Sequence, residues 1–127
     1  MTYKFSQRSL DRMQGVHGDL VKVMLEAIKE SPYDFGITEG VRTPQRQQEL
    51  YAAGKSRTLN SRHLKGLAVD IAIFVDGKLT WEFKYYEEVA KHILKVCAEM
   101  GIPVVWGGAW RGFVDAVHFE LDRKVYQ

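Results

Sequence analysis

Cysteine is almost absent from this chain: of 127 residues, only Cys97 carries a thiol. One cysteine cannot form an internal disulfide, and no Cys-His spacing of the zinc-finger kind is present, so neither a disulfide framework nor a zinc finger is available. Cys97 falls in an apolar helical stripe and is expected to be a buried, inert thiol. Long apolar runs are missing too. No stretch approaches the roughly 20 residues that span a bilayer. The opening Met1-Thr2-Tyr3-Lys4-Phe5-Ser6 lacks the apolar core of a secretory signal. The expectations are synthesis in the cytoplasm and no membrane insertion. Charge of one sign is equally scarce: 18 basic and 16 acidic residues leave a formal +2. That balance lacks the concentrated basic footprint of a dedicated nucleic-acid binder, so no nucleic-acid partner is expected. Neither an internal repeat nor a low-complexity linker marks a boundary. A chain of this length can bury a core unaided, and residues 1–127 are expected to form one domain.

The pattern along the chain predicts α+β architecture, with a mainly antiparallel sheet packed with helices. A short helix is expected over 9–13. A clearer one covers 19–30, with Leu20, Val23, Met24, Ala27 and Ile28 at helical spacing. A strand is expected over 35–41. Thr43 caps a helix with Pro44 at its first position and Gly54 at its end. Residues 55–62 are polar and read as a loop. A strand over 67–75 runs into Asp76-Gly77, a tight-turn signal that predicts a hairpin with 78–80. The longest helix is expected over 85–100, closed by Gly101. Short strands are expected over 104–106 and 117–121.

Chemistry concentrates in two clusters. Ser61-Arg62-His63-Leu64-Lys65-Gly66-Leu67-Ala68-Val69-Asp70 reads S-x-H-x-x-G-x-A-x-D, and Asp115-Ala116-Val117-His118-Phe119-Glu120 follows near the C-terminus. Side chains seven apart on a straight strand point to opposite faces. His63 and Asp70 can share a metal only if the chain bends between them, and Gly66 permits that bend. The strand after Gly66 is apolar, so Asp70 is expected among apolar neighbours and in need of a metal or a cation. Two imidazoles and one carboxylate, His63, His118 and Asp70, make three protein ligands. Three ligands with an open fourth position form a catalytic zinc site, whereas structural sites are closed by four. Asp115, three residues before His118, is the candidate general base. Glu120 is a candidate orienting partner for a ligand histidine. His17 and His92 have no carboxylate at a defined offset and read as ordinary histidines.

At these residues the chain resembles the LAS-type zinc peptidases of the M15 group, whose members include D-Ala-D-Ala carboxypeptidases and dipeptidases and the L-alanyl-D-glutamate peptidases found as phage endolysins. The endolysin branch is the closer likeness. It extends through Phe5-Ser6-Gln7-Arg8-Ser9, the segment Phe35 to Thr43, Gln47, the run Tyr51 to Ser56, and Trp106-Gly107-Gly108-Ala109-Trp110. The resemblance implies a Hedgehog/DD-peptidase-like fold and one zinc ion on His63, Asp70 and His118. It implies Asp115 as the catalytic acid/base and Arg42 facing the scissile carbonyl or a substrate carboxylate. Ser61 and Trp110 are candidate substrate contacts. Arg42 can also be read as a structural ion pair, Ser61 as a plain loop residue, and Trp106 and Trp110 as core aromatics. Carboxypeptidase members often carry glutamate where Asp115 stands, so the aspartate leans toward the endolysin branch. The segment from Trp110 to Asp115 is short and holds no other acid, which argues against the calcium-regulating insertion of some phage members.

The implied activity is zinc-dependent cleavage of the L-alanyl-D-glutamate bond in the peptidoglycan stem peptide, for host cell lysis. Such a protein acts as a monomer without a separate wall-binding domain. It is made in the host cytoplasm and reaches the periplasm or cell wall after a holin permeabilises the membrane. Two alternatives stay open at this stage: a D-Ala-D-Ala carboxypeptidase or dipeptidase, and a Hedgehog-like zinc-stabilised binding module without catalysis.

Overall fold

The computed structural model describes residues 2–127. Among them are four α-helices, α1 (Gln7–Arg12), α2 (Gly18–Lys29), α3 (Pro44–Ala52) and α4 (Phe83–Met100), and five strands, β1 (Asp34–Glu39), β2 (Ala68–Val75), β3 (Lys78–Thr80), β4 (Val104–Trp106) and β5 (His118–Leu121). The strands form one sheet in the order β1-β2-β5-β4, with β3 hairpinned onto β2, and every pairing is antiparallel. The α+β expectation holds.

One face of the sheet is apolar and one is not, and the alternation of residues along the strands decides which. Val69, Ile71 and Ile73 of β2, Phe119 and Leu121 of β5, and Phe35 and Ile37 of β1 join the hydrophobic core. Onto that core pack Leu20, Val23, Met24, Ala27 and Ile28 of α2 and Tyr86, Val89, Ala90, Ile93, Val96 and Cys97 of α4. The Tyr86 hydroxyl accepts from the Ile73 amide at 3.1 Å and donates to the Thr80 carbonyl at 2.8 Å, tying α4 to the hairpin. Asp76 and Gly77 both adopt positive φ, 52° and 78°, as a tight two-residue turn requires.

The intervening residues, Asp70 on β2 and His118 and Glu120 on β5, fall on the opposite, open face. Asp70 therefore does not stand among apolar side chains, as the run around it suggested. Its neighbours on β2's open face, Ala68 and Ala72, are small, and polar groups from other elements fill the space above it.

Element ends differ from the sequence expectation where side chains cap them. α1 starts at Gln7 because the Ser6 hydroxyl accepts from the Ser9 amide. α2 starts at Gly18 because His17 Nδ1 accepts from the Asp19 amide. α4 begins two residues early, at Phe83. β1 stops at Glu39, after an irregularity between Ile37 and Glu39 that brings Glu39 into register with Asp70. Two short 3-10 turns, Arg62–Lys65 and Gly107–Ala109, were not anticipated. The first takes Ser61 and Arg62 out of the rim loop and buries both.

Candidate functional site

Asp70 lies at the centre of a cross-strand row. Glu39 of β1 pairs with it on one side and His118 of β5 on the other. Directly opposed residues on adjacent strands bring their side chains together on one face, which places His118 Nδ1 3.3 Å from Asp70 Oδ1. His63 arrives from the 3-10 turn Arg62–Lys65, its Nε2 3.2 Å from the same oxygen. One ligand atom from each of His63, Asp70 and His118 lies within 4.8 Å of the others.

The turn that delivers His63 is closed at both ends. The Ser61 hydroxyl accepts from the His63 amide at 3.2 Å. Gly66 ends the turn in the left-handed region, φ 71°, and a Cβ there would come within 2.5 Å of the Gly15 carbonyl oxygen. The bend demanded by the His63–Asp70 spacing is at the glycine. The Arg42 amide donates to the His63 carbonyl at 2.9 Å, fixing the turn to the chain just beyond β1.

The partners of the imidazoles determine which nitrogen faces the centre. His63 Nδ1 sits 2.8 Å from the Gly40 carbonyl. A carbonyl only accepts, so Nδ1 carries the proton and Nε2 presents its lone pair. His118 Nε2 sits 2.9 Å from Glu120 Oε1 and donates to it, leaving Nδ1 for the centre. Zinc bonds of about 2.0–2.2 Å at tetrahedral angles set adjacent donor atoms about 3.3–3.6 Å apart. The two contacts on Asp70 Oδ1 come close to that spacing, so these residues fit a small divalent metal. The donor set suits zinc and would also hold iron, cobalt or manganese.

Without a metal, the same cradle holds a proton. Burial works against a charge on His118, but its hydrogen bonds to Asp70 and Glu120 outweigh that and push its pKa up to about 9. Burial likewise opposes charge on Asp70, yet the hydrogen bonds from His118 and His63 keep its carboxyl well below the usual range. Glu120 is almost fully buried and accepts from Arg123 Nε at 3.1 Å as well as from His118, and Arg62 Nε lies 3.5 Å away. Burial alone would raise its pKa, but the His118 and Arg123 hydrogen bonds lower it. It touches His118 as an orienting partner would.

Arg42 is buried beside the cradle. Its Nε and Nη2 grip the two carboxylate oxygens of Glu39 at 2.7 and 2.9 Å, and Nη1 donates to Gln47 Oε1 at 2.6 Å. Nη2 is also 3.6 Å from Asp70 Oδ2. Both readings of Arg42 therefore have structural content: it is an ion pair, and it retains a donor on each Nη beside the centre.

A cavity of about 440 Å³ opens over these groups. Asp115, Arg42, Ser61 and Trp110 line it together with the three candidate ligands. Asp115 precedes β5 in a turn where its carbonyl accepts from the His118 amide at 3.2 Å. Its pKa is raised, first by burial and then by the charge of Asp70, against the opposing pull of His118, His63 and Arg42. The Trp110 ring centroid is 5.0 Å from that of His118. Trp106 is buried instead, its indole N–H donating to the Ala116 carbonyl at 2.8 Å. His17 caps α2, and His92 Nε2 lies 2.8 Å from the Ala27 carbonyl, between α4 and α2. Neither approaches the cradle.

Glu39, Gln47 and Arg62 belong to the site's framework, and no role was assigned to them from sequence. Glu39 three residues before Arg42 is a weak pairing signal. Gln47, almost fully buried on an otherwise exposed helix, entered the sequence reading only as part of the family likeness, and no spacing or periodicity marks its burial.

Known proteins resemble this chain along its whole length. Residues 1–127 match the family described as phage L-alanyl-D-glutamate peptidase. The chain is 32% identical over 130 residues to the L-alanyl-D-glutamate peptidase of Escherichia phage T5, covering 99% of this chain and 94% of that protein. It is also 32% identical over 138 residues to the peptidoglycan L-alanyl-D-glutamate endopeptidase CwlK of Bacillus subtilis strain 168, covering 91% and 81% respectively. The crystal structure of the Serratia marcescens L-Ala D-Glu endopeptidase ChiX superposes with a TM-score of 0.91 at 41% identity, over 98% of this chain and 93% of that one.

Proposed function

Because the chain belongs to the phage L-alanyl-D-glutamate peptidase family, we propose that it is a zinc-dependent peptidoglycan hydrolase that cuts between L-alanine and D-glutamate of the stem peptide. The observation that carries the metal-dependent reading is the convergence of His63 Nε2, His118 Nδ1 and Asp70 Oδ1 at the floor of an open cavity. These three residues would hold the ion. When bound, zinc supplies a Lewis acid that acidifies a water molecule and polarises a carbonyl.

The side chains around it supply the rest. Asp115 takes a proton from the attacking water as the new C–O bond forms, and returns it to the leaving amine as the C–N bond breaks. Its raised pKa suits a group that must both accept and give back a proton. Arg42, locked by Glu39 and Gln47, presents its remaining donors to negative charge developing at the scissile carbonyl or to a nearby carboxylate. Glu120 and the Gly40 carbonyl hold the two imidazoles in their productive tautomers. Ser61 positions His63, and Trp110 forms a wall against which substrate rests. A silent, metal-stabilised binding module has no task for Asp115 on the cavity wall. The names of the relatives favour the L-alanyl-D-glutamate bond over a terminal D-Ala-D-Ala bond.

Among the described residues no helix is long and apolar enough to cross a membrane. The same proposal has the protein made in the host cytoplasm, acting as a monomer and reaching the wall once a holin has permeabilised the membrane.

Mass spectrometry of purified peptidoglycan after digestion tests the reading. New L-alanine carboxyl ends and D-glutamate amino ends, lost with a chelator and regained with zinc, are expected. Release of terminal D-alanine would reassign the bond. No cleavage by folded, zinc-loaded protein would sink the peptidase reading.

A further inference from the structure

Three arginines of the cavity, buried Arg42 and Arg62 and exposed Arg123, already face carboxylates. Arg42 is clamped on Glu39 at 2.7 Å, and Arg62 and Arg123 converge on Glu120 at 3.5 and 3.1 Å. Two further cations line the same cavity, Lys55 and Arg57. Among the described residues neither is paired with a carboxylate. They are also well placed. Their loop hangs on the site's framework, because Gln47 accepts from Arg42 through its oxygen while its Nε2 donates to the Thr58 carbonyl at 2.5 Å and the Ser56 hydroxyl at 2.8 Å. The Arg57 guanidinium lies 4.8 Å over the Phe113 ring on the opposite rim. A guanidinium over a ring still offers the N–H donors around its edge.

An uncompensated pair of cations on the wall of a binding cavity selects for an anionic ligand. The inference rests on the peptidase reading above and deepens it. In an L-alanyl-D-glutamyl bond within a peptide, alanine is amide-linked on both sides and uncharged. Glutamate continues the chain through one carboxyl and keeps the other free. We propose that Lys55 and Arg57 bind a free carboxylate of the leaving fragment, so that this rim selects stem peptides whose glutamyl residue is unamidated.

The test compares two synthetic peptides, identical except that the glutamyl residue carries either a free carboxylate or a carboxamide. Zinc-loaded wild-type protein is expected to favour the free acid by about tenfold in kcat/KM, as one charge-assisted contact allows. The preference should shrink as salt rises. Lys55→Ala with Arg57→Ala should bring the ratio close to one, mainly by raising KM for the free acid. Arg57→Lys should retain part of the preference, and Lys95→Ala, on the exposed face of α4, should retain all of it. Equal wild-type cleavage of both peptides, or an undiminished preference in the double variant, would overturn this inference and leave the peptidase reading standing. No cleavage of either peptide would overturn both.

Discussion

Asp115 shows how one residue can serve chemistry against stability. Burial and the charge of Asp70 raise its pKa above the ordinary 3.8, so the fold favours its neutral form. That contribution is present below about pH 3.8 and is lost as pH rises through the higher folded value. At neutral pH the ionised carboxylate is therefore a strain on the fold. Asp115→Asn is expected to lower kcat by about 10²- to 10⁴-fold while still binding zinc. Its metal-free form should melt no lower than wild type. Calorimetry with zinc and steady-state rates check both halves, and an Asn variant as active as wild type would remove Asp115 from the mechanism. The residues brought together at the candidate site were legible because each is marked locally: a glycine between His63 and Asp70, and an acid three positions before His118. Their supports were not. Arg62 meets Glu120 only because its side chain reaches from the 62–65 turn to β5, where it also donates to the Leu121 carbonyl, and no local pattern announces a contact across that sequence distance.

Elements were read well where periodicity is strong, as in α2, β2 and α4, and less well where a cap or a register decides. The irregularity after Ile37 is the instructive case: it sets Glu39 opposite Asp70, and with it the anchor of Arg42. The apolar run of β2 concealed which face Asp70 takes, because alanines on the open face look like core in a sequence. The turn at 62–65 is the element on which the site depends most. Gly66→Ala would force a positive φ on a Cβ residue and push that Cβ against the Gly15 carbonyl oxygen. A cost of about 1–3 kcal/mol is expected, with weaker zinc binding because His63 shifts. Thermal melts and zinc titration measure the two effects, and a variant with unchanged zinc affinity would show that the turn does not set the cradle.

At the scale of the molecule, the cradle joins β2, β5 and the 62–65 turn. A proton and a bound metal would compete there for the same atoms. A raised pKa on His118, about 9 against an ordinary 6.5, contributes stability to the metal-free fold below about pH 6.5 and loses it as pH rises through about 9. A metal requires the unprotonated nitrogen and gains as protons leave. The melting temperature of chelated protein is thus expected to fall from pH 6.5 to pH 9 while that of zinc-loaded protein holds. With zinc at a hundredfold excess over its Kd, stabilisation is about 2.7 kcal/mol, or about 10 °C for a domain of this size. A pH-independent melt of the chelated protein would count against the proton-holding cradle.

The loop around Lys55 and Arg57 and the segment around Phe113 lie outside the strands that set the register of Asp70, and meet only across the mouth of the cavity. On the proposed role of Lys55 and Arg57, exchanging those two side chains while Ser56 and Thr58 keep their bonds to Gln47 changes what is admitted and leaves the candidate ligands in place. A repertoire of cell-wall preferences can thus arise on one unaltered cutting head, with insertions confined to the rim and none tolerated within β2, where a one-residue slip would turn Asp70 into the core.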